Sequence, residues 1–221
     1  MGTRLLSTRG GYISLWPECV AGDGLRHDEY RHHVDGFETK PTLQTERLAI
    51  RPMRGTDAAA LLALTEVPES RRLTGTHERF TLEQTQAWCA SRDEQSDRWD
   101  LVIEDAADGR WLGELAVTNW DPDNRSCGIR IALVPDGRSR GIGPEAMEAV
   151  IDHLFTVTPT HRLELDVFSI NPQAIAVYER LGFVREGVMR DALLWEGAFF
   201  DAIQMSVLRP EWARRSPANA T

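Results

Sequence analysis

The sequence predicts an α/β (α+β) layer fold, in which a mixed, mostly antiparallel sheet is flanked by helices. Short segments with alternating apolar residues are typical of strands. Other segments open on a capping residue and repeat apolar residues every three or four positions, which is typical of helices. Their order along the chain is β-α-α-β-β-β-α-β-α-β-β. Strands and helices that alternate in this way build a sheet covered by helices.

The composition predicts one domain with a tail. The chain has 221 residues and a formal net charge of -9, from 25 Lys and Arg against 34 Asp and Glu. This acidic balance argues against nucleic acid as a partner, because phosphate binding needs clustered basic residues. It suits a cationic substrate such as an amine. No apolar run approaches the roughly 20 residues that span a bilayer, and the N-terminus lacks the apolar core of a signal peptide, so we expect a cytoplasmic protein without membrane contact.

No metal site is expected. His27, His32 and His33 lie in an extension without a second ligand cluster, so a solvated tail is favoured over metal ligation. The segment "DPDN" (residues 121–124) resembles the start of a calcium loop but lacks the later ligands, and it is interpreted as a turn. The three cysteines, Cys19, Cys89 and Cys127, form no CxxC pair and are interpreted as free thiols.

The first half of the chain predicts one strand, two helices and a three-stranded antiparallel meander. The first helix is capped by Thr56 or Asp57, and the second by Thr81. The strands of the meander are joined by short polar turns. The predicted strands are residues 47–53, 99–105, 111–120 and 127–134, and the predicted helices are residues 55–65 and 81–96.

The second half predicts a helix, a strand, a short helix and a final hairpin. The first helix has an apolar face. Asn171 caps the second helix and Gly182 ends it, and the last two strands flank a turn at Glu196 and Gly197. The apolar face of the first helix is formed by Met147, Val150, Ile151, Leu154 and Phe155.

The loop "GRSRGIG" before the first of these helices has the features of an anion site. Backbone N–H groups at a helix N-terminus lack intrahelical partners, and the helix dipole places partial positive charge there. Gly141 and Gly143 let the backbone approach a ligand, Arg138 and Arg140 add charge, and Pro144 suits the first helical turn. The site therefore suits a phosphate. The Walker and dinucleotide-binding patterns are both absent.

The pattern R-x-x-G-x-G at Arg138, Gly141 and Gly143 resembles the pyrophosphate-binding loop of the GNAT superfamily of acyl-CoA-dependent N-acyltransferases. The segments "TERLAIRPM" and "FFDAIQMSVLRPEW" resemble the first strand of that superfamily and the closing strand of its Rim-type branch, which is ribosomal-protein-alanine N-acetyltransferase-like. The second signature of the superfamily, N-x-x-A-x-x-x-Y-x-x-x-G-F, is matched by Asn171, Ala174, Tyr178, Gly182 and Phe183.

The resemblance runs from about residue 45 to residue 212. It implies an acyltransferase domain over residues 44–213, an irregular N-terminal extension over residues 1–43 and a tail over residues 214–221. It also implies that the strand before the loop splays from the strand "LELDVFSI", and that the pantetheine arm of acetyl-CoA lies in the gap. The residues implied to bind acetyl-CoA are Ile131, Leu133, Val134, Arg138, Ser139, Arg140, Gly141, Ile142, Gly143, Asn171, Ala174 and Tyr178.

The resemblance further implies a direct attack of a neutral amine on the thioester. Asn171 would hydrogen-bond the arm near the thioester, and Tyr178 would protonate the departing thiolate. Many relatives carry a glutamate early in the strand before the loop, where this chain has Gly128. The base is therefore expected elsewhere: Glu114 is the first choice, and Asp121 or Asp123 the second. Water alone can also serve.

The sequence thus predicts an acetyl-CoA-dependent N-acetyltransferase. The acceptor is either the N-terminus of a protein, as the Rim-type branch implies, or a small amine. The alternative is a non-catalytic CoA-binding protein used for sensing or interaction, which the missing glutamate at position 128 supports. Homodimers are common among such relatives.

Overall fold

The computed structural model of the chain describes residues 37–138 and 140–215. In these residues the chain forms eight strands and six α-helices. The strands are β1 (Leu43–Gln44), β2 (Leu48–Pro52), β3 (Trp99–Asp105), β4 (Trp111–Asp121), β5 (Ser126–Leu133), β6 (Arg162–Phe168), β7 (Val184–Trp195) and β8 (Ala198–Leu208). The helices are α1 (Ala58–Glu66), α2 (Pro68–Thr74), α3 (Leu82–Ala90), α4 (Ile142–Val157), α5 (Pro172–Arg180) and α6 (Arg209–Arg215).

All eight strands join one sheet in the order β1-β2-β3-β4-β5-β6-β8-β7. Each neighbouring pair is antiparallel except β5 and β6, which run parallel. The predicted meander is confirmed as β3-β4-β5, and the mixed, mostly antiparallel sheet is confirmed with it. The parallel pair is connected through α4, as a parallel crossover requires.

The parallel pair separates soon after it forms. Bridges join Ser126 to Arg162, Cys127 to Leu163 and Gly128 to Glu164, and pairing then stops. Beyond these bridges the two strands do not pair with each other, over residues 129–133 of β5 and residues 165–168 of β6. We call the opening between these two stretches the split. The splayed strand pair implied by the sequence resemblance is therefore present.

The two faces of the sheet are covered by different helices. Helices α4 and α5 pack on one face over the main core, and the predicted apolar face of α4 is buried there. Helices α1 and α3 cover part of the opposite face with a smaller cluster. That smaller cluster consists of Met53, Ala58, Leu61, Cys89 and Val102.

The first described residues pack against the sheet. The ring of Phe37 is buried and stacks on Trp99 and Trp120, with centroid separations of 5.0 and 4.8 Å. The ammonium of Lys40 donates to the carbonyl oxygens of Phe37 and Arg98. The core therefore begins at Phe37 or earlier, at least seven residues before residue 44, the predicted start of the domain. His27, His32 and His33, interpreted from sequence as part of a solvated tail, lie outside the described residues, as does Cys19.

The sequence analysis did not predict the short helices α2 and α6, and it predicted α3 to be longer than it is. The helix predicted to end at residue 96 stops at Ala90, where the Ser91 N–H bonds back to carbonyl oxygens of the last turn. Helix α2 has Pro68 at its start and Gly75 in the left-handed conformation at its end, which are both recognisable signals.

Helix α6, the other missed helix, ties down the far ends of α4 and α5. The guanidinium of Arg209 donates to the carbonyl oxygens of Phe155, Thr158 and Thr160 at the end of α4. The guanidinium of Arg215 donates to the last carbonyl oxygens of α5 and stacks 5.1 Å from Trp212. Basic groups at helix C-termini satisfy unpaired carbonyls and complement the dipole.

We expect Gly113→Ala to destabilise the fold far more than Gly109→Ala. A Cβ at position 113 would lie 2.3 Å from the carbonyl oxygen of Ala132, and that backbone moves only if β4 and β5 separate. Gly109 has φ +72° and open space around it, so alanine there costs only the left-handed conformation, roughly 1–2 kcal/mol. Forced overpacking at position 113 should cost about 3 kcal/mol or more. Denaturant unfolding of both variants measures the difference, and equal losses would contradict the tight β4–β5 approach.

Candidate active site

The predicted anion-binding loop lies at the mouth of the split. Strand β5 ends at Leu133, a short turn covers Pro135–Gly137, and α4 begins at Ile142. Gly141 precedes the helix with φ 77°, in the left-handed region. Only glycine adopts that conformation without steric cost, so this position explains the glycine of the pattern. Pro144 lies in the first turn of α4, as expected.

Four consecutive N–H groups of this loop have no acceptor among the described residues: those of Arg140, Gly141, Ile142 and Gly143. They lie at the N-terminus of α4, which has 16 residues and therefore a developed dipole. Such an arrangement binds an anion through the backbone. Ser139, the other predicted loop contact, lies outside the described residues.

The start of α4 packs directly on the strand that borders the split. A Cβ at Gly143 would lie 3.4 Å from the Leu133 side chain and 4.0 Å from the Ile131 side chain. These are ordinary van der Waals distances, so the first turn of α4 lies in contact distance of β5. The unpaired N–H groups therefore lie next to the end of the strand.

Alternate residues of β5 direct their backbone groups into the split. The Val134 N–H donates to the Leu112 carbonyl oxygen of β4, at 2.9 Å. Because backbone groups alternate in direction along an antiparallel strand, those of Leu133 and Ile131 face away from β4. Val134 differs, since its carbonyl oxygen already accepts from Gly137. Of the predicted backbone contacts, Ile131 has both groups and Leu133 has its N–H open to a ligand, whereas the Leu133 carbonyl oxygen accepts from Arg138 and both groups of Val134 are engaged.

The two loop arginines have different surroundings. The guanidinium of Arg138 donates to the Leu133 carbonyl oxygen at 3.2 Å and the Ser70 hydroxyl at 2.6 Å, and it pairs with Glu69 of α2. Its charge therefore points to α2. The side chain of Arg140 is exposed, and its carbonyl oxygen accepts from Arg47 at 2.9 Å.

Thr45 and Arg47, just before β2, contact the first turn of α4 and the loop from the solvent side. Arg47 pairs with Glu145 in the first turn of α4, and the same carboxylate accepts from the Thr45 hydroxyl. Partial burial raises the pKa of Glu145, but the hydrogen bonds from Thr45 and Arg47 outweigh it and leave the pKa below its usual value. Glu145 is therefore ionised at neutral pH, and Arg47 offsets its charge near the anion site.

Helix α5 carries the second predicted signature. The Asn171 side-chain oxygen accepts from the Ala174 N–H at 3.1 Å, which confirms the cap. Tyr178 is 9% exposed and lies in the main core, where its ring packs 6.0 Å from that of Phe183. Burial raises the pKa of Tyr178 to about 12. The phenol therefore keeps its proton at every physiological pH.

Glu114 is on β4, next to β5, the strand that borders the split. It lies on the sheet face that α1 and α3 cover. It pairs across the sheet with Ala132 and is 4% exposed. One carboxylate oxygen lies 3.4 Å from the Arg130 guanidinium, and the other has no hydrogen-bond partner among the described residues. Burial raises the pKa of Glu114, and Arg130 opposes this only in part.

The second-choice bases are poorly placed. Asp121 pairs with Ser126, at the opposite end of β5 from the loop. Its carboxylate accepts from the N–H groups of Asp123 and Asn124, which closes the turn that the sequence predicted. Asp121 and Asp123 are therefore turn residues far from the mouth of the split.

A carboxylate that the sequence analysis did not select borders the split from the other side. Glu164 of β6 bridges Gly128, so Asp166 lies on the same sheet face two residues further along, where β6 has left β5. Burial, with a smaller effect from Glu164, raises the pKa of Asp166. The alternation of buried Leu165 and Val167 with Asp166 was visible in the sequence, but the register that places Asp166 two residues beyond the last bridge, Gly128–Glu164, was not.

The part of the chain that the structure describes shows no cluster of three or more His, Cys, Asp or Glu residues able to hold a metal ion. Cys89 and Cys127 are buried free thiols, as predicted, and burial raises the pKa of both. None of the described helices is long and apolar enough to cross a membrane.

Comparison with known proteins identifies the family. Residues 47–184 match the family model of the acetyltransferase (GNAT) domain, so the chain belongs to that family. It is an acetyl-CoA-dependent N-acetyltransferase that transfers an acetyl group to a primary amine. The enzyme interpretation is confirmed over the non-catalytic alternative. The particular Rim-type branch is not distinguished by the relatives.

Two curated relatives illustrate the spread of acceptors. The spermidine N(1)-acetyltransferase of Vibrio cholerae is 27% identical over 135 residues, covering 57% of this chain and 78% of the relative. A putative ribosomal N-acetyltransferase of Bacillus subtilis is 30% identical over 105 residues, covering 48% of this chain and 57% of the relative.

Solved structures share the fold. The spermidine N-acetyltransferase of Vibrio cholerae in complex with CoA and spermine has a TM-score of 0.72 at 20% identity, over 76% of this chain and 99% of that one. A GCN5-related N-acetyltransferase from Brucella melitensis has a TM-score of 0.67 at 22% identity, over 81% of this chain and 83% of that one.

Proposed function

We propose that the split and the loop together hold acetyl-CoA. The observation that carries this proposal is that backbone groups of β5 that face the split and the N–H groups of residues 140–143, which have no acceptor among the described residues, lie on the same short stretch of chain, residues 131–143. In the proposal, Ile131 and Leu133 pair with the pantetheine arm, and residues 140–143 bind the diphosphate. An extended amide-containing arm completes a broken strand pair, and a diphosphate satisfies a helix N-terminus. Asn171 and Ala174, at the start of α5, lie against the arm.

The proposed chemistry is a direct attack of the amine on the thioester carbonyl. The amine nitrogen forms a bond to carbon, the thiolate departs, and the nitrogen gives up one proton. Tyr178 donates a hydrogen bond to the departing sulfur. Since its pKa is about 12, well above the roughly 8.5 of a thiol, the phenol is always protonated and can stabilise the thiolate as it forms.

We propose Asp166 as the group that receives the proton of the amine. Asp166 lies on the strand that forms one wall of the split and its side chain is exposed, so a proton can pass from it to solvent. Glu114, the first choice from sequence, also lies beside β5, but it is closed off under the helices next to Arg130. In this proposal Glu114 is the weaker candidate for the base.

We propose a small cationic amine as the acceptor. Asp166 presents an exposed carboxylate on the face where the split opens, next to Glu164, which pairs with Arg162 at 3.2 Å, and opposite charges attract an ammonium group. The spermidine acetyltransferases among the relatives favour this choice, whereas the ribosomal relative favours the alternative of a protein N-terminus. Assays with spermidine and with a peptide that has a free N-terminus, read by product mass, separate the two. A homodimer and the absence of nucleic-acid and membrane partners stay predictions.

Gly141→Ala should weaken acetyl-CoA binding by about tenfold or more, because it disturbs the left-handed residue that aims the loop N–H groups. Its control is Gly197→Ala, which has φ +83°, open space around it and a position in the β7–β8 turn. In both variants alanine must adopt the left-handed conformation at a similar cost in free energy, but only residue 141 lies in the loop. Calorimetric titration with acetyl-CoA compares them. Unchanged affinity in a folded Gly141→Ala protein would refute the site.

Tyr178→Phe should lower kcat by about 10²–10⁴, because the departing thiolate loses its hydrogen-bond donor. Acetyl-CoA affinity should change little, since the phenylalanine ring keeps the packing in the core. Steady-state kinetics and a thermal melt measure these quantities. A folded variant with an unaltered kcat would remove Tyr178 from the chemistry.

Asp166→Asn should remove the acidic limb of the pH profile of kcat/KM. In the native protein, activity rises with pH as the base loses its proton, and the raised pKa of Asp166 moves that limb upward from the usual carboxylate range. Glu114→Gln is the matched amide substitution and should leave the limb in place. Loss of the acidic limb in Glu114→Gln but not in Asp166→Asn would identify Glu114 as the base. An acidic limb that persists in both variants would favour water.

A further inference from the structure

We infer that Arg138 is a positioning residue that holds α2 across the split and so controls the binding of the amine, whereas the phosphates of acetyl-CoA are bound without its charge. The inference rests on the proposed function of the loop. It concerns the one arginine of the R-x-x-G-x-G pattern, whose side chain is directed at α2 and away from the unpaired N–H groups.

The first step is the contact between Arg138 and the near end of α2. Ser70 is 5% exposed, and its hydroxyl receives a hydrogen bond from Arg138 at 2.6 Å. The same guanidinium also donates to the Leu133 carbonyl oxygen, at the end of β5. The pair with the exposed Glu69 adds little, because solvent screens it. The partly buried, charge-assisted bonds to Ser70 and Leu133 are the stronger ones.

The second step is the contact of the far end of α2 with the opposite wall. Gly75 ends α2 with φ +64°, and a Cβ there would lie 2.8 Å from the Phe168 ring and 3.1 Å from Leu193. Phe168 is the last residue of β6, the strand that forms the second wall of the split. Only a residue without a side chain allows so close an approach.

The third step is the segment that follows α2. The guanidinium of the buried Arg71 donates to the carbonyl oxygens of Thr65, His77 and Glu78, which folds this segment back on the helix. The imidazole of His77 then lies 5.0 Å from the ring of Trp195 on β7. Helix α2 and the residues after it therefore touch the β5 side through Arg138 and the β6–β7 side through Gly75 and His77.

These contacts make α2 a bridge over the split on the face that carries Asp166. An amine that approaches the split from this face must pass α2. The unpaired N–H groups of the loop lie on the backbone of residues 140–143 and do not depend on the Arg138 side chain. Loss of the Arg138 side chain should therefore weaken binding of the amine more than binding of acetyl-CoA.

The test compares Arg138→Gln with Arg72→Gln, an exposed arginine of α2 for which no partner is seen among the described residues. Acetyl-CoA affinity is measured by calorimetry, and KM and kcat are measured with spermidine and with a free-N-terminus peptide. Arg138→Gln should raise the KM of the amine about tenfold or more and change the acetyl-CoA Kd less than threefold. Arg72→Gln should change neither, and Arg138→Lys should recover part of the loss.

Ser70→Ala supplies an independent variant should Arg138→Gln fail to fold. It should raise the KM of the amine in the same direction, and the double variant should be no worse than Arg138→Gln alone, because both remove one interaction. A weakened acetyl-CoA affinity with an unchanged amine KM would overturn the inference and assign Arg138 to the phosphates. Failure of the proposed function would look different: the unsubstituted protein itself would not bind acetyl-CoA.

Discussion

Hydrogen bonding between β5 and β6 stops after Gly128 and Glu164, and the rest of the site depends on that termination. Buried backbone groups without partners cost free energy, so a sheet tolerates a gap only where something else fills it. Here the gap is followed by four N–H groups at the start of α4 that have no acceptor among the described residues. A ligand with an extended polar arm and a diphosphate satisfies both sets, and acetyl-CoA has both parts.

The split stays open because its walls are anchored elsewhere. On one side β5 is held along its length by β4, with Gly113 allowing a very close approach. On the other side β6 is held along its length by β8. Helices α4 and α5 keep their N-termini at the site because α6 binds their C-termini, through Arg209 and Arg215. The anchoring contacts thus lie away from the mouth of the split, whereas the backbone groups without partners among the described residues lie at its mouth.

Local signals explain what the sequence analysis predicted well. The glycine pattern at residues 141 and 143, the Asn171 cap and the alternating strands each act within a few residues of chain. The misses in the candidate site depend on distant contacts, whereas the missed helix α2 carries local signals at Pro68 and Gly75. Arg138 bonds to Ser70 across 68 positions of sequence, so its direction towards α2 was not visible. The placement of Asp166 just past the last bridge, Gly128–Glu164, depends on the register of a parallel pair, which no local pattern encodes.

The central claim is that the unpaired backbone of the split and loop binds acetyl-CoA. Amide hydrogen exchange with and without CoA, resolved to single residues, tests it most directly. The account predicts that CoA slows exchange at the N–H groups of Ile131, Leu133 and residues 140–143, while Val134, already bonded to β4, changes little. Saturation with CoA that leaves those amides unprotected, or protects another face of the sheet, would contradict the account.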